Sequence, residues 1–292
     1  WHLDEPNSNP TAGAMFLLSE MAQKEVAVVL GGDGGDELFG GYPRYYYSAL
    51  ISKLQRIFPS IILNRISSKF KLSADAERIT AFLCQKPELL AKVIQPDILK
   101  EKSAIDYIQQ THFHPRNHSQ YPRNLHQTDF EKYFMNVDRQ SWLPDESLLR
   151  TNKMSMAHGL ESRVPILDYR LIELSCRIPT TWKFNIWNTT GGSFQGKKIW
   201  RSAIGDYLPP HIANQKKRGW FTPMAKWLRQ GKMRDFAAET LSSLPPELFN
   251  VAEIKKIWDG HLSGRVYNLN IIWALVMWQL WYQIFISKEK HV

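Results

Sequence analysis

The sequence predicts an α/β protein in which part of a parallel-sheet core is followed by a mainly helical body. Residues 11–25 have the spacing of an amphipathic helix, with an apolar face formed by Met15, Leu17, Leu18, Met21 and Ala22. Residues 26–30 are consecutive apolar residues, typical of a strand that is covered on both faces of a parallel sheet. A glycine-rich turn follows this strand, and from residue 129 onward helical spacing dominates between prolines. A helix, a buried strand and a glycine turn in this order indicate part of an α/β unit.

The composition is that of a globular protein with a sizeable core. The chain has 292 residues, of which 43% are hydrophobic and 22% charged, so it can form one large domain or two smaller ones. Cys84 and Cys176 are too few for a disulfide framework, and neither lies in the C-x-x-C pair of a zinc ribbon. The net charge of +9 permits anionic partners without identifying them.

Residues 271–286 form the one stretch that must be tested as a membrane span. It has sixteen residues and is interrupted by Gln279 and Gln283, whereas a span needs about 20 mostly apolar residues. The first residues of the chain lack the charged and apolar regions of a signal peptide. We therefore predict a buried or docking helix here and no membrane partner.

The middle of the chain carries a basic patch and a cluster of histidines. Residues 49–110 have helical, amphipathic spacing, and residues 111–128 are polar and predict a loop. The basic residues of the patch are Lys53, Arg56, Arg65, Lys69 and Lys71. We interpret this patch as a solvated face, with a nucleic-acid surface as the alternative. The histidines of the loop are His112, His114, His118 and His126. Their spacing does not predict a metal site.

An acidic glycine loop, residues 31–37, is the strongest chemical signal. It follows the predicted strand, at the end where open α/β sheets bind ligands. Glycines let a backbone approach phosphate closely, but Asp33, Asp36 and Glu37 would repel it. A magnesium ion reconciles carboxylates with phosphate, so the loop predicts a metal-bridged polyphosphate site. The alternatives are a tight turn with solvated acids and a calcium loop, although EF-hand spacing is absent.

Several stretches in the same order resemble the asparagine synthase (glutamine-hydrolysing) family. The matching stretches are residues 4–6 (DEP), 32–42 (GDGGDELFGGY), 143–145 (LPD), 154–168 (MSMAHGLESRVPILD), 196–201 (GKKIWR), 208–209 (LP) and 217–227 (KRGWFTPMAKW). The resemblance covers about residues 3–45 and 129–285. It implies an ATP-pyrophosphatase core of the adenine nucleotide alpha hydrolase type.

The resemblance also implies an activity. Members of the family use ATP and Mg²⁺ to adenylate the side-chain carboxylate of aspartate, pyrophosphate leaves, and ammonia derived from glutamine attacks the acyl adenylate. The implied protein is a cytoplasmic carbon–nitrogen ligase of asparagine biosynthesis, and the resemblance allows a homodimer.

Three residues of the matching motifs are implied in catalysis. Asp36 is similar to the family's Mg²⁺ ligand, and Asp33 lies where members carry an acidic residue near the acyl adenylate, often Glu. Asp33 would orient ammonia or accept its proton. Lys197 corresponds to the lysine that contacts pyrophosphate, a task that suits a compact ammonium group. We favour Lys197 over Lys198 because Lys197 stands four residues before Arg201, as in the family.

Further residues of the same motifs are implied in binding. The glycines expected to hold the nucleotide, together with Lys197, are Gly32, Gly34 and Gly35. Arg163 and Asp168 flank Pro165 and are expected near the substrate, where they would form a buried pair. A purely structural role for these two residues stays open.

Two parts of the family pattern do not occur in the sequence. One is the pyrophosphate-binding loop Ser-Gly-Gly-x-Asp-Ser, which carries a second Mg²⁺ aspartate. The other is the glutaminase domain that supplies ammonia. We expect both upstream of residue 1. We therefore predict that residues 1–292 are one synthetase domain that is incomplete at its amino end. Within it, residues 1–48 belong to the nucleotide-binding core, residues 49–128 are an unassigned helical insert, and residues 129–292 are the helical carboxyl part. We expect the chain alone to be inactive.

The sequence departs from the family at several positions, which leaves other functions open. The departures are Gly31, Asn152, Ile166, Gln215 and Trp220. A relative with the same adenylation step would amidate a sugar or polysaccharide precursor, or close a lactam or peptide ring. A third hypothesis is a non-catalytic or nucleic-acid-binding helical protein. Most tryptophans fall in the apolar carboxyl half, which favours core use over base stacking, so we predict no nucleic-acid partner.

Overall fold

A computed structural model describes most of the chain outside its middle. The described residues are 1–46, 49, 53, 130–185, 196–213, 215, 219–220 and 222–287. The histidine loop and the basic patch beyond Lys53 lie outside the described residues, as does almost all of the insert predicted at 49–128.

The amino-terminal half of the described fold surrounds a small sheet. Its elements are helix α1 (Ala12–Ala22), strand β1 (Val28–Leu30), helix α2 (Gly35–Phe39), helix α3 (Phe130–Gln140), a π-helix (Trp142–Leu148), helix α4 (Leu149–Met156), strand β2 (Glu161–Arg163), a 3₁₀ turn (Pro165–Leu167), helix α5 (Tyr169–Arg177) and helix α6 (Thr180–Lys183). The prediction of a small parallel sheet with a glycine turn among many helices is confirmed as a description of secondary structure.

Helices make up the carboxyl-terminal half of the described fold. They are α7 (Lys198–Ile204), a 3₁₀ turn (Gly205–Tyr207), α8 (Pro210–Ala213), α9 (Met224–Trp227), α10 (Lys232–Ser242), α11 (Val251–Leu262) and α12 (Leu269–Phe285). Local signals start two of the longer helices in the fold. Asp168 accepts a hydrogen bond from the Arg170 N–H at the start of α5, and Asn250 accepts one from the Glu253 N–H at the start of α11.

Strands β1 and β2 pair in parallel, with Val29 opposite Ser162. The parallel type of the sheet follows the prediction, but the predicted cover on both faces is wrong for the described residues. Val28 is 40% exposed and Leu30 is 74% exposed. Within the described part of the chain the sheet has two strands, so too few elements pack on it to bury this apolar run.

Helix α1 has the predicted position but not the predicted orientation. Its buried residues are Ala12 and Ser19, whereas Leu17 and Met21 are exposed. The helix packs against α4. Apolar residues occupy almost its whole circumference, so the sequence pattern alone does not select a buried face.

Among the described residues, the largest hydrophobic cluster lies where α10 and α11 pack against α12. Its most buried members are Leu228, Ala237, Ile272 and Val276. Gln279, which interrupts the apolar stretch in the sequence, is buried and donates a hydrogen bond from Nε2 to the Ser243 carbonyl at 2.8 Å. Helix α12 thus supplies the docking helix predicted near the carboxyl end. Among the described helices, none has both the length and the apolar character that crossing a membrane requires.

A buried lysine at the end of α6 makes the stability of the fold depend on pH. Lys183 is 3% exposed, and burial together with the positive charge of Arg139 lowers the pKa of Lys183 from 10.5 to about 8. Below pH 8 the ammonium is charged in the folded and the unfolded states, so the folded state bears the full cost of burying it. Between pH 8 and 10.5 the folded state loses the proton first, so the free energy of unfolding rises with pH.

We therefore expect Lys183→Met to be more stable than the parent protein at pH 7, by up to about 3 kcal/mol. The advantage should shrink towards zero as the pH rises through 10. Denaturant unfolding of both proteins between pH 7 and 10.5 measures it, with exposed Lys24→Met as the matched control. A difference between Lys183→Met and the parent that stays constant over this range would contradict the prediction.

Candidate active site

The acidic glycine loop and the distant Lys197 meet in the fold. Lys197 Nζ lies 3.2 Å from Asp36 Oδ1. Both side chains are about a quarter exposed, so the pair is sheltered but still reachable from solvent. Asp36 comes from the first turn of α2, and Lys197 comes from the residue before α7. The structure thus brings together the two residues that the sequence analysis assigned to the metal and to the pyrophosphate.

Backbone contacts fix the position of Lys197. Its N–H donates to the Phe39 carbonyl at 3.2 Å, which joins the start of α7 to the end of α2. Phe39 also stacks on Trp200 of α7, with ring centroids 5.0 Å apart. Lys197 adopts a left-handed backbone conformation with φ of +60°, which is uncommon for a residue with a side chain. Such a conformation persists only where the surroundings hold it in place.

Close packing and backbone conformation both require glycine at Gly34, and Gly35 is closely packed as well. Gly34 has φ of +87°, and a Cβ atom there would lie 2.7 Å from Leu167 Cγ. A Cβ atom on Gly35 would lie 3.3 Å from Lys197 Nζ. Gly32 is exposed, with open space around it. The loop therefore presents a bare backbone beside the lysine ammonium at Gly35, and an open one at Gly32.

Asp33, the other predicted catalytic residue, contacts the π-helix and α4. Its Oδ1 accepts a hydrogen bond from Ser147 Oγ at 2.9 Å, and its Oδ2 accepts one from Thr151 Oγ1 at 3.4 Å. Ser147 lies near the end of the π-helix, and Thr151 lies in α4. The two carboxylates of the loop therefore have different surroundings, since Asp36 faces an ammonium group and Asp33 faces neutral hydroxyls.

Arg163 and Asp168 do not form the buried pair that the sequence suggested. The Arg163 side chain is exposed and pairs with Glu161 at 2.7 Å. Asp168 pairs with Arg170 at 2.8 Å, and hydrogen bonds from Arg170 lower the pKa of Asp168 to about 2. Each residue has a partner close by in sequence, so neither reaches across Pro165. The backbone of Arg163 still touches the loop, because its carbonyl accepts the Gly31 N–H at 2.7 Å.

A buried polar network supports the acidic loop from behind. Glu37 is 2% exposed and accepts a hydrogen bond from the Tyr42 hydroxyl at 2.7 Å. Burial raises the pKa of the Glu37 carboxyl above its usual value. Tyr45 donates to Asp138 of α3, and Arg44 Nη2 pairs with the same carboxylate at 2.7 Å. The segment after α2 is thereby joined to α3.

The donors present suit a magnesium ion that arrives with a nucleotide. Among the described residues, no group of three or more His, Cys, Asp or Glu side chains converges as a metal cage. Mg²⁺ usually takes one or two carboxylates together with substrate phosphates and water, so a cage of that kind is not required. Asp36 is a hard carboxylate donor beside bare loop backbone, which fits this mode of binding.

Sequence reasoning missed the residues that surround the loop. Ser147 and Thr151 touch Asp33, and Tyr42, Tyr45 and Asp138 support α2. The nearest sequence signal was the Leu-Pro-Asp stretch at 143–145, just before Ser147. The serine, threonine and tyrosine residues at these positions form no recognisable sequence pattern, so their contacts can be identified only from the folded structure.

The fold and the site together define an α/β protein with an acidic glycine loop that faces a lysine at the carboxyl end of a parallel strand. Comparison with known proteins identifies the family to which this protein belongs. Residues 1–283 match the model of the asparagine synthase family, and the chain belongs to this family.

Relatives of known name agree with the family. The chain is 26% identical over 297 residues to asparagine synthetase [glutamine-hydrolyzing] 1 of Bacillus subtilis, covering 99% of this chain and 45% of that protein. It is 27% identical over 308 residues to a putative asparagine synthetase [glutamine-hydrolyzing] of Mycobacterium tuberculosis, covering 98% and 44%. A match at 22% identity over 249 residues is amidase chyE of Penicillium rubens, covering 78% of this chain and 37% of the amidase. The chain thus spans less than half the length of these relatives.

Proposed function

We propose that the full-length protein is an ATP-dependent amide-forming ligase of the asparagine synthetase type. The observation that carries the proposal is the 3.2 Å approach of Lys197 Nζ to Asp36 Oδ1 beside the glycine loop. Pyrophosphate departure requires positive charge, which a Mg²⁺ ion held by the Asp36 carboxylate and the ammonium group of Lys197 would supply. Family membership supports the same assignment.

The proposed reaction has two steps. The side-chain carboxylate of aspartate attacks the α-phosphorus of ATP, so that an oxygen–phosphorus bond forms and the bond to pyrophosphate breaks. Ammonia then attacks the acyl carbon, the bond to AMP breaks, and the nitrogen loses a proton. Lys197 would stabilise charge on the departing pyrophosphate, and Asp33 would orient ammonia or accept its proton. Mg²⁺ held by Asp36 would supply further positive charge in the first step.

Other parts of this proposal concern the protein beyond the described residues. We propose that the nucleotide core has the adenine nucleotide alpha hydrolase fold, with residues 1–48 and 129–292 on either side of an insert at 49–128. The ATP phosphate loop and a glutaminase domain would come from the remainder of the full-length chain. Gly32, Gly34 and Gly35 would line the nucleotide, with Arg163 and Asp168 nearer the acceptor. A cytoplasmic location belongs to the same proposal, and so does a homodimer.

Pyrophosphate release tests the proposal directly. We expect the purified full-length protein to release pyrophosphate from Mg²⁺–ATP when aspartate is added, and to form asparagine when an ammonium salt or glutamine is also present. Pyrophosphate release without any added carboxylate, or no release with any carboxylate, would contradict a carboxylate-activating ligase.

A second candidate keeps the adenylation step but changes the acceptor. The similarity to amidase chyE favours it, as do the departures at Ile166 and Gln215. In this case pyrophosphate release would respond to another carboxylate, such as a sugar acid or a peptide, and not to aspartate. The same assay with a panel of carboxylates separates the two candidates.

The proposed metal role of Asp36 predicts a weaker magnesium response in Asp36→Asn. Asparagine keeps the shape of the side chain but removes the negative charge, so we expect the apparent Mg²⁺ affinity to fall by about tenfold or more. A magnesium titration of pyrophosphate release at saturating ATP measures this. Asp145→Asn, at an exposed position outside the loop, is the matched control and should leave the titration unchanged. An unchanged titration in Asp36→Asn would remove the residue from the metal site.

A further inference from the structure

Asp33 is held by two hydroxyl groups that come from a distant part of the chain. Ser147 Oγ donates to Asp33 Oδ1 at 2.9 Å across a separation of 114 residues, and Thr151 Oγ1 donates to Oδ2 at 3.4 Å. Residues four apart lie on one face of a helix, so the π-helix and α4 present both hydroxyls to the loop together. Each oxygen of the carboxylate has one donor, which fixes the plane of the carboxylate group.

The two hydroxyls are firmly placed. Ser147 is 9% exposed and Thr151 is 6% exposed. Helix α4 packs against both α1 and β2, so the wall that carries Thr151 is anchored on two sides. The loop is confined as well, because a Cβ atom on Gly31 would lie 3.3 Å from Val164 Cγ1 and 3.6 Å from Asp33 Oδ2. Val164 therefore limits the movement of the loop at Gly31, and the packing of α4 limits the movement of Thr151.

The chemistry of the donors leaves Asp33 able to act on an amine. Within the described residues, Asp33 forms no ion pair, whereas Asp36 pairs with Lys197. Neutral hydroxyls orient a carboxylate without cancelling its charge. A carboxylate has about four lone-pair sites and these contacts use two, so the others remain for an ammonia N–H.

We infer that Ser147 and Thr151 are positioning residues for Asp33 in the amine-attack step. This inference rests on the proposed function, and it assigns the two residues to the second step of that reaction and not to the first. An Asp33 carboxylate that can rotate would guide ammonia less well, and water would compete for the acyl adenylate. The defect should therefore appear as adenylate lost to hydrolysis.

The test compares two products of the full-length protein with Mg²⁺–ATP, aspartate and ammonium chloride. In Ser147→Ala we expect pyrophosphate release within about twofold of the parent, while amide formed per pyrophosphate falls by about tenfold, because hydrogen bonds to charged groups are among the stronger ones. The decrease should lie in the kcat for amide formation more than in the KM for ammonium. Ser147→Thr restores a hydroxyl and should recover most of the ratio.

Controls separate positioning from folding. Ser155→Ala removes another buried hydroxyl of the same segment, which donates to the Asn152 carbonyl at 3.2 Å, and should leave the ratio unchanged. If Ser147→Ala fails to fold, Thr151→Val decides, with an expected decrease of about threefold because its contact is longer. An unchanged ratio of amide to pyrophosphate in the folded variants would overturn the inference. Absence of aspartate-dependent pyrophosphate release in the parent protein would instead contradict the proposed function.

Discussion

Replacement of Lys197 by alanine should reduce aspartate-dependent pyrophosphate release by about 10²- to 10³-fold in the full-length protein. The ammonium group of Lys197 lies against Asp36, at the place where the proposed pyrophosphate would gather charge. Its loss leaves that charge without a positive partner at the moment when the phosphorus–oxygen bond breaks. The fold should survive, because the backbone bond from Lys197 to Phe39 does not need the side chain.

Two further variants make this expectation specific. Lys197→Gly also removes the ammonium group, but glycine accepts the positive φ at this position more readily than lysine or alanine does. Both variants should lose activity, whereas Lys197→Gly should unfold at a temperature at least as high as that of Lys197→Ala. The neighbouring Lys198 is exposed, so Lys198→Ala should keep nearly full activity. Normal pyrophosphate release in Lys197→Ala would exclude the residue from the site.

Replacement of Gly41 by alanine should inactivate the protein nearly as strongly, although Gly41 carries no functional group. A Cβ atom at this position would overlap the Asp36 carboxylate and would lie 2.7 Å from Lys197 Cε. The methyl group therefore takes the space in which the acid and the lysine meet. We expect pyrophosphate release to fall by about 10²-fold, since misplacement of catalytic groups by about 1 Å can cost this much.

The control for Gly41→Ala is Gly13→Ala. Gly13 lies in α1 with open space around it, so the added methyl should be neutral or stabilise the helix by up to about 1 kcal/mol. Pyrophosphate release, magnesium titration and thermal unfolding should be measured on both variants. If Gly41→Ala kept the parent's rate and magnesium response, the close approach of Asp36 and Lys197 would not matter for catalysis.

The meeting of Asp36 and Lys197 could be predicted because the stretches that contain them resemble motifs of one family, which implies that both face the same site. Neither residue indicates the other by its own spacing. The parallel type of β1 could also be predicted, because a run of apolar β-branched residues indicates it. The exposure of Val28 and Leu30 could not, since the apolar run predicts cover on both faces and the described elements do not supply that cover.

Contacts between side chains far apart in sequence could not be predicted from local sequence patterns. Arg163 and Asp168 stand at a spacing that suggests a mutual pair, yet Glu161 and Arg170 lie closer and offer exposed partners. Ser147 offers a single hydroxyl, and nothing near it in sequence indicates a carboxylate 114 residues away. Such contacts depend on the packing of α4 and the π-helix against the loop, which no single segment encodes.

The ion pair and the hydrogen bond that Arg44 and Tyr45 form with Asp138 affect which changes of sequence length the chain can tolerate. It holds the two ends of the stretch between residues 46 and 130 side by side. For a flexible connection between two fixed ends, each doubling of its length costs only about 0.6 kcal/mol. Insertions and deletions in this stretch should therefore accumulate among related chains without moving the acid, the lysine or the glycines.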